Sequence, residues 1–101
     1  MAKYYFTNKA VEDLTEIWSY TLMKWSENQA EIYYKLIIET CKEISANPNL
    51  GKDYSTVKQY VYGIRAGRHI IFYRILETSD VEIIRILHEQ MDLKSKLPEQ
   101  F

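Results

Sequence analysis

The stretch RILHEQMD, residues 85–92, gathers most of what could do chemistry in this chain. Arg85, His88, Glu89 and Asp92 fall within it. A histidine near carboxylates is a natural general acid or base, because negative neighbours favour its charged form. A continuing strand, however, sends Glu89 to the face opposite His88, and Asp92 comes back only if the chain turns. The stronger reading is structural: His88 and Asp92 fix the exit from a strand by hydrogen bonds. No residue is assigned a catalytic role.

The arginines are the second group. Arg65, Arg68, Arg74 and Arg85 all lie in the second half of the chain, and the first half has none. Guanidinium groups suit planar, bidentate contacts to carboxylate or phosphate, so these four are candidates for binding a target or partner. Strand alternation groups Arg74 with Ile70 and Phe72, and Arg85 with Ile83 and Leu87. A charge among apolar neighbours is costly unless paired. Two readings are open: a cationic sheet face turned away from the helices, or internal ion pairs. Glu82 falls on the face opposite Arg85 and is not its obvious partner. His69, at the start of a strand, reads as a hydrogen-bonded or solvated strand end. One cysteine and two separated histidines do not give usual zinc spacing. The glycines Gly51, Gly63 and Gly67 form no phosphate loop, and no serine stands in a nucleophile elbow. No metal or cofactor is expected.

The elements that must position these residues can be read in order. KYYFT, residues 3–7, is a short strand of aromatic and β-branched residues. Thr7 or Asn8 then caps a helix whose Val11, Leu14, Trp18, Leu22 and Trp25 recur at helical spacing. Ser26 to Gln29 has capping-box form and opens a second helix, with Ala30, Tyr33, Tyr34, Ile37, Cys41 and Ile44 on one face. Pro48 ends it. So short a join predicts an antiparallel helical hairpin. Residues 47–56 read as loop. Strands are predicted at about 59–66, 69–76 and 81–88, joined by a tight turn at Gly67 and a polar hairpin at 77–80. The middle strand is apolar on both faces and should be central. The expected fold is α+β, in the order β-α-α-β-β-β, with the hairpin on one face of a small, mainly antiparallel sheet. Helix 2 is apolar beyond one stripe: Ile32 and Leu36 lie round from Ile37, and Tyr20 and Met23 lie off the core face of helix 1. These four could line a groove for a partner segment.

The whole chain sets bounds. Its 101 residues, 47% of them hydrophobic, predict one globular domain over 1–101. A formal charge of −1 removes the simplest argument for a nucleic-acid binder. Between Tyr54 and Leu76, though, Lys58 and three arginines occur with no Asp or Glu. Cys41 reads as a small buried thiol. The start, MAKYYFTNKA, has no hydrophobic signal region and no run is long enough to span a membrane, so a reducing cytoplasm is expected.

NPNLGKDY, then YGIRAGRHIIFYRI and VEIIRILHEQMDLKSKL, resemble the ParE toxin family within the RelE/ParE superfamily. AVEDLTEIWSYTLMKWS and QAEIYYKLI are similar to that family's first two helices, so the resemblance covers essentially the whole chain. It implies the toxin of a bacterial type II toxin–antitoxin pair that poisons DNA gyrase by binding, without catalysis. It also implies a cognate antitoxin with a DNA-binding part and a flexible tail that orders on the toxin. Operator DNA would be reached only through that antitoxin. The alternative within the same fold is a RelE-like ribosome-dependent mRNA endonuclease, with Arg65, Arg74, Arg85 and His88 cast as phosphate-stabilising and proton-moving groups. The chain lacks the dense lysine and arginine set of such enzymes.

Overall fold

The structure, a computed structural model, describes residues 3–55 and 59–90. Its elements are β1 (Tyr4–Phe6), α1 (Asn8–Lys24), α2 (Glu27–Ala46), a 3-10 turn (Pro48–Leu50), β2 (Lys52–Asp53), β3 (Tyr62–Ala66), β4 (His69–Ile75) and β5 (Val81–His88). The sheet order is β1-β5-β4-β3-β2. β1 runs parallel to β5 and the other pairs are antiparallel. The α+β architecture is the expected one, with an additional strand. Residues 47–56, read as loop, hold the 3-10 turn and β2, and the strand placed at 59–66 begins at Tyr62. Two-residue β2 is too short for any periodicity to register. It is held by pairing with Tyr62 and Gly63 and by the Tyr73 hydroxyl, which donates to Pro48 O at 2.6 Å and accepts from Gly51 N at 2.9 Å.

Both helix starts are capped by side chains. Thr7 Oγ1 accepts from Ala10 N at 3.1 Å and donates to Ile84 O at 2.9 Å, so one residue caps α1 and ties it to β5. Ser26 Oγ accepts from Gln29 N at 3.0 Å at the start of α2. On α2 most of the predicted face holds: Ala30, Ile37, Cys41 and Ile44 are buried and Tyr33 is half-buried, but Tyr34 is 42% exposed. On α1 it is rotated. Ala10, Asp13 and Thr21 are buried, with Leu14 and Ile17 packed on the core, while Val11 and Trp25 stand 50% and 71% exposed. Periodicity found an apolar stripe, but a buried ion pair at Asp13 turned the neighbouring stripe inward. Trp18 instead meets Tyr34 edge-on across the hairpin, ring centroids 6.0 Å apart.

The sheet is covered on both faces. Ile71, Tyr73, Val81, Ile83 and Ile86 pack with the helices. On the reverse, Phe72, Ile84 and Leu87 join Val61, with Tyr54 and Ile70 against them. β4 is therefore central, as its two apolar faces predict. The β4–β5 ladder carries a bulge: Tyr73 pairs Ile83 and Phe72 pairs Arg85, leaving Ile84 extra. That inserted residue breaks simple alternation, so Ile83 and Leu87 belong to opposite faces and Arg85 cannot share a face with both.

Candidate functional site

The strand ends, the β3–β4 turn and the side of α1 that carries Asp13, Ile17 and Tyr20 border an open cleft of about 1160 Å³. Its α1 wall carries Glu12, Asp13, Glu16 and Tyr20, and its sheet wall carries Arg68, His69, Arg85 and His88. Tyr33 from α2 and Trp25 close one end. These residues converge because α1 leaves β1 beside β5, and because β4 and β5 place His69 directly opposite His88.

Asp13 is the anchor of the α1 wall. Its carboxylate accepts from Arg85 Nε at 2.7 Å, from Arg85 Nη2 at 2.8 Å and from Ile86 N at 3.0 Å. The side chains are only 17% and 10% exposed for Arg85 and Asp13. Hydrogen bonding to Asp13 holds the Arg85 guanidinium pKa above its ordinary value, against the opposing effect of burial.

Tyr33 joins α2 to the β3–β4 turn. Its hydroxyl lies 2.7 Å from His69 Nδ1, accepts from Arg68 N at 2.9 Å and approaches Ala66 O at 3.3 Å. The single hydroxyl proton serves either Ala66 O or His69 Nδ1, and the His69 tautomer sets which of the two rings donates. Burial pushes the His69 pKa down, and the neighbouring His88, in edge contact at 5.4 Å between ring centroids, lowers it further. Burial also raises the Tyr33 pKa, so the phenol stays protonated. Gly67 fits this turn at φ +62°, where an added Cβ would come within 2.6 Å of the Tyr33 ring. His88 Nδ1 accepts from Gln90 N at 3.2 Å, which pins the strand exit. Asp92, placed with His88 in that role, lies outside the described residues.

The other arginines are distributed as follows. Arg74 Nε meets Glu82 at 2.7 Å across the β4–β5 pair. Arg65 pairs with Glu89 and donates from Nε to Gly67 O at 3.1 Å. Arg68 is exposed and makes no ion pair among the described residues. Of the two readings left open for Arg74 and Arg85, internal pairing is the one present. Tyr20 (63% exposed), Met23 (87%), Ile32 (53%) and Leu36 (41%) are all on the surface. Only Tyr20 reaches the cleft.

Sequence reasoning did not single out Asp13 and took Tyr33 only as part of an apolar face. A signal existed for Asp13: it lies three and four residues from Ala10 and Ile17, a charge inside an inward stripe. Tyr33 gave none, because its partners Ala66, Arg68 and His69 are more than thirty residues away. Cys41 is fully buried, and its thiol pKa is pushed up to about 12, which leaves it inert. Among the described residues no three His, Cys, Asp or Glu side chains stand together as a metal site. No described helix is long and apolar enough to cross a membrane.

The family model described as "ParE toxin of type II toxin-antitoxin system, parDE" matches residues 4–93. "Toxin ParE1" of Caulobacter vibrioides is 31% identical over 97 residues, covering 96% of this chain and 99% of its own. "Toxin ParE1" of Mycobacterium tuberculosis is 29% identical over 96 residues, with 95% and 98% covered. "Toxin ParE" of Escherichia coli is 27% identical over 100 residues, with 99% and 97% covered. A solved structure titled "Chromosomal ParDE TA system from P. aeruginosa" superposes with a TM-score of 0.74 at 20% identity, covering 87% of this chain and 96% of that one. That likeness bears on the fold.

Proposed function

This chain belongs to the ParE toxin family of type II toxin–antitoxin systems, and we propose that it acts by binding DNA gyrase and trapping it on broken DNA. The observation that carries this reading is the family match across residues 4–93. The site geometry supports binding over catalysis. Arg65, Arg74 and Arg85, the cations an RNA-cleaving reading would use, are held by Glu89, Glu82 and Asp13. A phosphorane-stabilising guanidinium has to be available to the phosphate. His88 has its Nδ1 committed to the backbone of Gln90.

As a toxin of such a system the protein has a cognate antitoxin for partner. We assign the antitoxin's apolar contacts to the exposed Tyr20, Met23, Ile32 and Leu36 and its acidic contacts to Arg68 and the outer parts of the paired arginines. The site of action is the bacterial cytoplasm, and 1–101 works as one domain without cofactor. Purified toxin should inhibit gyrase supercoiling and raise the amount of cleaved DNA, and added antitoxin should reverse both. Codon-specific cuts in mRNA on ribosomes, with gyrase unaffected, would replace this reading by the endonuclease one.

A further inference from the structure

β1 pairs with β5 only from Val81 to Ile83. The chain then departs at Thr7 into α1. The upper half of β5 has β4 on one side and, among the described residues, no strand on the other. The ladder decides which backbone groups point to that uncovered side. Glu89 N donates to Arg68 O at 2.9 Å, so Glu89 and Leu87 face the β4 side. Ile86 and His88 alternate with them and face away. Ile86 N does so visibly, since it meets the Asp13 carboxylate at 3.0 Å. The same alternation directs the N–H and C=O of His88 into the cleft. That cleft, at about 1160 Å³, exceeds the roughly 300–1,000 Å³ typical of a small-molecule pocket. With the Ile86 N–H already taken by Asp13, the edge left beside the cleft is that at His88, and an open strand edge is a template for an extended chain.

The α1 wall says what kind of chain. Asp13 is neutralised by Arg85, and Lys9 lies 3.6 Å from Glu12. Glu16 makes no ion-pair contact among the described residues, and although its charge acts on Arg85, that guanidinium is already matched by Asp13, so the wall keeps a net negative charge there. Ile17, Tyr20 and Trp25 add apolar surface beyond it.

We propose that this lane takes an extended segment of the cognate antitoxin as an added strand on β5. The segment hydrogen-bonds to the outward backbone groups of His88. It presents a basic side chain to Glu16 and an apolar one to Tyr20 and Trp25. The proposal rests on the toxin–antitoxin reading and assigns to it a docking lane that meets the apolar surface of the helical hairpin at Tyr20.

The test is amide hydrogen exchange on the toxin alone and in complex with its co-expressed antitoxin. The His88 amide should exchange freely in the toxin alone and slow at least about ten-fold in the complex. His88→Pro removes that outward N–H without touching a β4 hydrogen bond, and should bind antitoxin about ten-fold more weakly than His88→Ala, which loses the same imidazole but keeps the N–H. Glu16→Lys should weaken it too, with a salt dependence shallower than that of the wild type. Protection already complete in the free toxin, or unchanged exchange of His88 in a neutralised complex, overturns the lane alone. An antitoxin that does not bind the toxin overturns the toxin–antitoxin reading with it. The exchange result on the unaltered protein decides the matter even if His88→Pro fails to fold.

Discussion

Asp13 links three things that the sequence keeps far apart: the inner face of α1, the guanidinium of Arg85 and the backbone of Ile86. Removing one partner of such a sheltered pair leaves the other charge without compensation. Asp13→Ala should therefore cost about 3 kcal/mol in urea unfolding. Joining it to Arg85→Met should cost less than the two single losses added together, because the orphaned charge is then gone. His69 gives a pH dependence whose sign follows from its depressed pKa. The folded state binds the proton less readily than the unfolded chain, whose histidine titrates near about 6.5. Stability is thus full above that pH, and is lost as pH falls from there through the lower folded-state value. Melting temperatures between about pH 7.5 and 5 should show this fall, and His69→Gln should flatten it.

At the scale of elements, two hydroxyl side chains join Asp13 in binding helices to the sheet. Thr7 caps α1 and donates to Ile84 O beside the bulge, and Thr7→Val should cost about 1–2 kcal/mol. Tyr33 does the equivalent for α2 at the β3–β4 turn. Tyr33→Phe keeps the ring but strips the hydroxyl from Arg68 N and His69. It should cost about 1 kcal/mol or more by chemical denaturation and speed exchange of the Arg68 amide. The bulge at Ile84 belongs to the same scale. By adding one residue to β5 it switches the alternation after Ile84, so that Ile86 joins Ile83 under the helices and Leu87 joins Ile84 on the reverse face. Without it the lower and upper halves of β5 would not both complete their cores.

For the molecule as a whole, the surface is the informative part. The end of the helical hairpin leaves Tyr20, Met23, Trp25 and Ile32 exposed, more apolar surface in one region than a lone domain has reason to keep. Met23→Ser combined with Ile32→Ser should leave the melting temperature nearly unchanged, since each side chain is already in water. The pair should weaken antitoxin binding by more than about 1 kcal/mol in calorimetry if these residues are anchors. Equal affinity of variant and wild type would move the apolar contact elsewhere. The charges divide differently: three of the four arginines carry ion pairs within the fold, and Arg68 is left at the turn that borders the cleft.

The sequence by itself determined the fold class, the two caps, most of the buried face of α2, the central place of β4 and the family. Each is written in short-range pattern, whether as period, capping residue or motif, and neighbours within a few residues suffice to specify it. Tertiary structure alone decided which stripe of α1 turns inward, that Arg74 and Arg85 are paired, and that His69 meets both Tyr33 and His88. Those outcomes depend on contacts between residues 8 to 73 positions apart and on a single inserted residue in β5. RILHEQMD thus spelled a strand and its family from within, while the partner of its arginine was decided by a carboxylate on the first helix.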